Sequence, residues 1–157
     1  MIDLSTYVFA DRNYQPIAAA RGPLADPDYI KGVIELSIDG QEIITRAEWD
    51  LVDQLWAYLV NGAGELAARR GFATRFPDQP IELLFTLDAD GDTVIVELRY
   101  PGIGRPATAR VGRRELIDAI ASAAEPVFGK LLEIAPTNRA GYESVLRQIE
   151  ALKHASE

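Results

Sequence analysis

Residues 34–60 read IELSIDGQEIITRAEWDLVDQLWAYLV, and within them the hydrophobic period changes from two to between three and four. Ile34, Leu36 and Ile38 alternate with Glu35 and Ser37, which predicts a half-buried strand. Asp39-Gly40 is a two-residue hairpin signal, because such turns need backbone conformations that Gly, Asn and Asp tolerate best, and Gln41 to Ile44 returns as a second strand. Thr45 and Glu48 have the T-x-x-E spacing of a capping box, in which each side chain satisfies a backbone amide at a helix start. Trp49, Val52, Leu55, Trp56, Leu59 and Val60 then recur as one apolar helical stripe. Asn61-Gly62 and Gly64 are expected to end or break that helix, with a short continuation from Glu65 to Arg70.

The same two periods organise the rest of the chain. Upstream, Ser5 to Ala10 and Tyr14 to Ala20 are expected to pair across Asp11-Arg12-Asn13, and Arg21 to Asp28, with Gly22, Pro23 and Pro27, reads as a loop. Downstream of Pro77-Asp78-Gln79-Pro80, Ile81, Leu83, Phe85 and Leu87 face one way, and Val94, Val96, Leu98 and Tyr100 answer across the turn Asp88 to Asp92. Ala107 to Val111 completes a meander as an edge strand. From Arg113 to Ile134 the period is helical, with a kink or restart expected near Pro126, whose ring lacks a backbone donor. Pro136 stops this helix, and a last one runs to about Lys153, burying Tyr142, Val145, Leu146, Ile149 and Leu152. The predicted fold class is α+β: an antiparallel sheet of hairpins and a meander, with three main helices packed on one face. Residues 1–157 are read as one domain, comprising an N-terminal hairpin and loop (1–30), a hairpin with the tryptophan helix (33–70), the meander (81–111) and the C-terminal helices (113–154).

Composition removes much chemistry. There is no cysteine, and the single histidine, His154, lies close to the C-terminal end, which leaves no thiol nucleophile and no internal imidazole base or ligand. No catalytic residue, cofactor or metal is therefore expected. The net charge of -8 argues against nucleic acid, and no apolar run is long enough for a membrane span. No signal peptide is read at Met1, and a cytoplasmic location is expected. Arginine supplies 13 of the 16 basic residues, which suggests a GC-rich bacterial genome.

Four constellations carry charge or glycine in patterns worth testing. Asp88, Asp90 and Asp92 have the spacing of the first calcium ligands of an EF-hand, but Thr93 stands at the required glycine position and Arg99 at the required acid, so the segment reads as a hairpin turn. Arg99-Tyr100-Pro101-Gly102-Ile103-Gly104 resembles the R-x-x-G-x-G segment that GNAT-type acetyltransferases place between a strand and a helix. That resemblance covers six residues and implies a grip on the coenzyme A pyrophosphate. Residues 105–110 depart from it, since they lack a helical apolar pattern. Arg99, Arg105, Arg110, Arg113 and Arg114 form a stretch without an acid, suited either to an anionic ligand or to local pairing on a solvated face. Arg113 and Arg114 sit at a helix N-terminus, where positive charge is unfavourable. Glu48, Asp50 and Asp53 occupy the start of the tryptophan helix, where negative charge is favourable.

Residues 1–60 carry ten acids against four bases, opposite in sign to the arginine stretch. The leading expectation is a non-catalytic bacterial protein-binding domain that meets another protein by charge and shape, in the general manner of toxin-neutralising immunity proteins. Its candidate surface comprises Arg99, Arg105, Arg110, Arg113, Arg114, Glu48, Asp50 and Asp53. The alternatives are a small enzyme or an acyl-CoA or phosphate binder using Arg99 to Arg114, and a homodimeric structural subunit.

Overall fold

A computed structural model describes residues 1–100 and 107–155. The fold is α+β, with two antiparallel sheets and three helices. The first sheet has the order β2-β1-β3-β4, formed by β1 (Ile2–Ala10), β2 (Asn13–Pro16), β3 (Lys31–Ile38) and β4 (Gln41–Ile44). A two-residue strand, β5 (Asp50–Leu51), also pairs with β3. Both hairpin turns use the conformation their residues suit: Asp11 and Arg12 have φ of 51° and 66°, and Asp39 and Gly40 have 49° and 81°. The first hairpin therefore forms where expected. Its leading strand starts at Ile2, and its returning strand stops at Pro16, before a one-turn 3-10 helix at Ile17–Ala19.

Helix α1 (Val52–Ala67) departs from the expectation at both ends. The Thr45–Glu48 capping box is present, but it closes a one-turn 3-10 helix at Arg46–Glu48. The chain then extends through Trp49 into β5, because Asp50 and Leu51 pair with Gly32 and Lys31. Trp49 and Trp56 consequently do not share a helical face. Trp56 is fully buried on α1, its Nε1–H donating to Thr6 Oγ1 at 2.9 Å, whereas Trp49 packs outside the sheet. Nor do the glycines break the helix. A Cβ on Gly62 would stand 2.7 Å from the Phe72 ring, so this glycine lets the helix approach a strand closely.

The second sheet has the order β6-β7-β8-β9, with β6 (Phe72–Arg75), β7 (Glu82–Leu87), β8 (Thr93–Arg99) and β9 (Ala107–Gly112). The meander from β7 to β9 follows the sequence pattern. Strand β6 does not show there, because four residues with only Phe72 large and apolar give no alternation to read. Strand β9 ends the sheet but lies against β4, so among the described residues β2 and β6 are the open edges.

Helix α2 (Arg113–Ile134) is uninterrupted through Pro126, so no restart occurs. Pro126 and Ser122 both face solvent, and water can serve the Ser122 carbonyl that would otherwise accept from residue 126. A 3-10 turn at Pro136–Asn138 leads into α3 (Arg139–Ala155), which buries Tyr142, Val145, Ile149 and Leu152. Helices α1 and α2 lie on the sheets and α3 packs across both helices. On the outer face of the first sheet, the segment from Thr45 to Trp49 covers part of β3, with Arg46 over the Tyr7 ring, Trp49 against Lys31 and Val33 buried beneath them. One core joins these layers, with Ile34, Leu36 and Ile38 of β3, Leu83 and Phe85 of β7, and Leu116, Ile120 and Phe128 of α2 all buried. Among the described residues, no helix is long and apolar enough to cross a membrane.

Candidate functional site: an acidic corner held from beneath

Two of the sequence-selected acids are buried. Asp50 is fully enclosed at the end of β5, and its carboxylate collects backbone amides from a distant loop. Oδ1 accepts from Leu51 N at 2.6 Å and Asp78 N at 3.0 Å, and Oδ2 accepts from Gln79 N at 2.9 Å. The Gln79 side chain donates back to the Trp49 carbonyl at 2.8 Å. Charge-assisted bonds of this kind satisfy a carboxylate that burial would otherwise make costly. Loop 77–80 is thus clamped to the strand beneath it. Glu48 is also buried, accepting from the Thr45 amide at 3.1 Å and from the Thr45 hydroxyl.

Asp53, half-buried in the first turn of α1, ties a second loop. It accepts from the Tyr142 hydroxyl at 2.7 Å, and Asn138 donates through Nδ2 both to Tyr142 Oη at 3.1 Å and to the Pro27 carbonyl at 2.7 Å. Burial pushes the Asp53 carboxyl above the ordinary aspartate range, against the hydrogen bonds from Tyr142 and the Gln54 amide, and neighbouring Asp28 adds to the rise. Tyr142 is pushed up as well, first by burial and then by the adjacent Asp53 charge, so it stays a neutral donor. This chain of contacts joins α1, α3 and the loop 21–30.

The two anchored loops meet at the surface. Tyr29, 46% exposed, reaches Asp78 Oδ2 at 3.4 Å, and Asp26 accepts from the Asp28 amide at 3.2 Å. Asp26, Asp28 and Asp78 are all exposed, with Asp78 at the Tyr29 hydroxyl and Asp26 and Asp28 on the same loop as the ring. A cleft runs from this corner towards β1, bounded by Phe9, Asp11, Arg21, Leu24, Asp26, Tyr29 and Lys31. The sequence names Asp50 and Asp53 but misses the corner they support. Tyr29 and Asp78 lie 49 residues apart, and only the fold brings them together.

The arginine stretch does not converge on a site. Arg99 pairs with Glu97 at 2.8 Å on the exposed face of β8, and Arg110 pairs with Asp88 across the second sheet. Arg114 lies 3.6 Å from Asp118. Arg113 turns away from its own helix: its Nη1 donates to the Leu66 carbonyl at 3.1 Å, in the last turn of α1. A charge unfavourable at one helix N-terminus therefore caps the C-terminus of another. Arg105 and the glycines Gly102 and Gly104 lie outside the described residues. Beyond them the chain enters β9, not the helix that the GNAT-type arrangement requires. Asp88 to Asp92 forms the expected hairpin turn, with Asp90 accepting from the Asp92 and Thr93 amides and Gly91 at φ 75°. Those amide bonds hold the Asp90 carboxyl below the ordinary range.

Comparison with known proteins adds no relative: no family model, no curated protein and no solved structure matches the chain.

Proposed function

We propose that this chain is a non-catalytic protein-binding domain, which docks a basic partner protein on the corner formed by Asp26, Asp28, Tyr29 and Asp78. The observation that supports this reading is the investment beneath the corner. Buried Asp50 fixes the loop carrying Asp78, and the Asp53–Tyr142–Asn138 chain fixes the loop carrying Asp26, Asp28 and Tyr29. Loops held in this way lose little further entropy on association, and an exposed tyrosine beside Asp78, on a loop that also carries Asp26 and Asp28, offers an anchor together with charge steering. The build suits an immunity-type protein that neutralises a basic toxin, and the arginine-rich, cysteine-free composition suits a bacterial cytoplasmic setting.

The test is affinity capture from the source organism, using the native chain beside Asp28→Lys and Tyr29→Ala. The expected result is a basic protein retained by the native chain, eluted by moderate salt and lost with either variant. Equal retention by all three chains, or turnover of a small substrate by a chain that captures nothing, would overturn the proposal.

A further inference from the structure

The cleft beside the acidic corner opens where two neighbouring strands part. Strands β1 and β3 stay in register only as far as Val8 and Gly32. Beyond that pair β1 follows β2, with Phe9 opposite Tyr14 and Ala10 opposite Asn13, whereas β3 begins against β5, with Lys31 opposite Leu51. Loop 21–30 forms the second wall. It is held by the Leu24 amide, which donates to the Ile134 carbonyl at 2.8 Å, and by Asn138 Nδ2, which donates to the Pro27 carbonyl. The cleft measures about 360 Å³, within the roughly 300–1,000 Å³ of small-molecule sites.

Its lining differs from the rest of the surface in two respects. Among the described residues the exposed large hydrophobic or aromatic side chains are Met1, Phe9 and Tyr29, and the last two both stand on this cleft. Four charges also line it, Arg21 and Lys31 against Asp11 and Asp26, and among the described residues none of them has an ion-pair partner. Elsewhere exposed cations do find a carboxylate, as Arg70 does on Glu65 and Arg139 on Glu143. The Lys31 ammonium lies 4.5 Å from the Phe9 ring centroid and 4.4 Å from that of Trp49, with no hydrogen-bond acceptor among the described residues. Aromatic faces steady a cation without using up its N–H donors, so these remain for an oxygen ligand.

We infer that this cleft binds a free aromatic α-amino acid in its zwitterionic form. The ring packs with Phe9 and Tyr29, the carboxylate takes charge-assisted hydrogen bonds from Lys31 and Arg21, and the ammonium is met by Asp11 and Asp26. Charge balance selects this class. A simple organic anion brings its charge to two aspartates, and a simple amine brings its charge to Lys31 and Arg21. A molecule carrying both signs answers all four groups and needs no net charge. Leu24 and Pro23 add apolar lining for the ring, and a wall already pinned to α2 and α3 costs little further ordering on binding. The inference goes beyond the proposed partner protein. Asp26 and Tyr29 belong to both surfaces, so the test leaves both unaltered, and ligand binding and partner capture can fail separately.

The experiment is calorimetric titration of the full chain with L-phenylalanine and with fragments of it, with the fluorescence of Trp49, whose ring touches the Lys31 ammonium, as a second readout. Saturable binding of L-phenylalanine is expected, with a dissociation constant of about 0.1–1 mM. Hydrocinnamate lacks the ammonium, phenethylamine lacks the carboxylate and L-alanine lacks the ring, and each should bind the native chain at least about 10-fold more weakly. Lys31→Met keeps an aliphatic stem between the two rings, and it and Arg21→Gln should each weaken L-phenylalanine by roughly the same factor. Asp11→Asn suits the same φ of 51° and should weaken L-phenylalanine while strengthening hydrocinnamate, because it removes a charge that opposes an anion. Thermal melts without ligand report whether each variant folds, and the fragment series on the native chain needs no variant. No saturable binding up to about 10 mM, a fragment that binds as well as the whole amino acid, or folded variants that bind as the native chain does would each overturn the inference. So would a peptide ending in phenylalanine that binds more tightly than the free amino acid, because the cleft would then belong to a chain terminus.

Discussion

The acids around the start of α1 and the arginines from β8 to α2 look alike in sequence, each a run of one charge beside a predicted helix start. In the structure they do different work. Asp50 is buried and receives three backbone amides, whereas Arg99 and Arg110 lie exposed and pair with neighbours on their own sheet. The difference is solvation. A charge out of water needs fixed partners and so becomes part of the architecture, whereas a charge in water exchanges one weak partner for another. Arg113 belongs with the acids in this respect, since its side chain is 11% exposed and ends on a carbonyl.

This contrast is tested most severely by Asp50→Ala. The substitution leaves the Asp78 and Gln79 amides facing a cavity without an acceptor, and we expect a loss of about 3 kcal/mol in denaturant unfolding. Hydrogen exchange should also become faster at residues 78 and 79. Asp50→Asn should fall between native and Ala, because an amide supplies one acceptor oxygen and turns its NH2 towards donors. Full stability in the Ala variant would show that the buried carboxylate is not what holds the loop.

Arg113→Ala comes next. It removes the donor to the Leu66 carbonyl and the packing of the long side chain between α1 and α2, and the expected cost is about 1–2 kcal/mol. Arg113→Lys should recover part of it, since an ammonium can reach one carbonyl but does not reproduce the planar fork. Equal stability of all three chains would place Arg113 with the exposed arginines after all.

Asp53→Asn should act in the opposite direction, and its effect depends on pH. Burial raises the Asp53 carboxyl in the folded chain, so folding favours its protonated form. The native chain benefits fully below the unfolded value of about 3.8, and that benefit is lost as pH rises through the folded value. Asparagine keeps an acceptor for Tyr142 and carries no charge. The melting temperatures of Asp53→Asn and native chain should therefore coincide in strong acid, with the variant moving above the native chain as pH rises towards neutrality. A gap that is widest in acid and closes towards neutrality would contradict this assignment.

How much of this was legible in the sequence divides along the same line. Periodicity exposed the strands β3, β7 and β8 and the buried stripes of α2 and α3, because their apolar residues recur at fixed spacing regardless of what they touch. It placed the capping box correctly but attached it to the wrong helix, since the same local hydrogen bonds close a 3-10 turn equally well, and the pairing of Asp50 and Leu51 with β3 is not local. Gly62 reads as a stop in sequence. In the fold it marks where Phe72 comes close, a contact with a strand that carries no pattern of its own. The acidic corner was illegible for a related reason. Its members come from residues 26–29 and 78, and the side chains that support them come from β5, α1 and α3. The contacts among Tyr7, Arg46, Phe9, Tyr14, Lys31 and Trp49 carry no sequence signal either, because these side chains come from separate segments of the chain.

The smallest effect is expected at Arg99 and Arg110. Both side chains are more than half exposed, and their carboxylate partners stand on the outer face and turn of the second sheet, where water competes for every donor. Arg99→Ala and Arg110→Ala should leave the unfolding midpoint unresolved from that of the native chain, and added salt should change neither comparison. The same pair decides the fate of the acyl-CoA reading. A ligand gripped by Arg99 would stabilise the native chain by mass action and lose that effect in the variant. The local pairing with Glu97 predicts instead that acetyl-CoA shifts neither melting curve, because the guanidinium already has its carboxylate and the segment after the loop is a strand with no helix N-terminus to offer a phosphate. A rise in melting temperature with acetyl-CoA that disappears in Arg99→Ala would reverse the contrast between the two charged regions, and would make the exposed arginines, rather than the buried acids, the residues on which function turns.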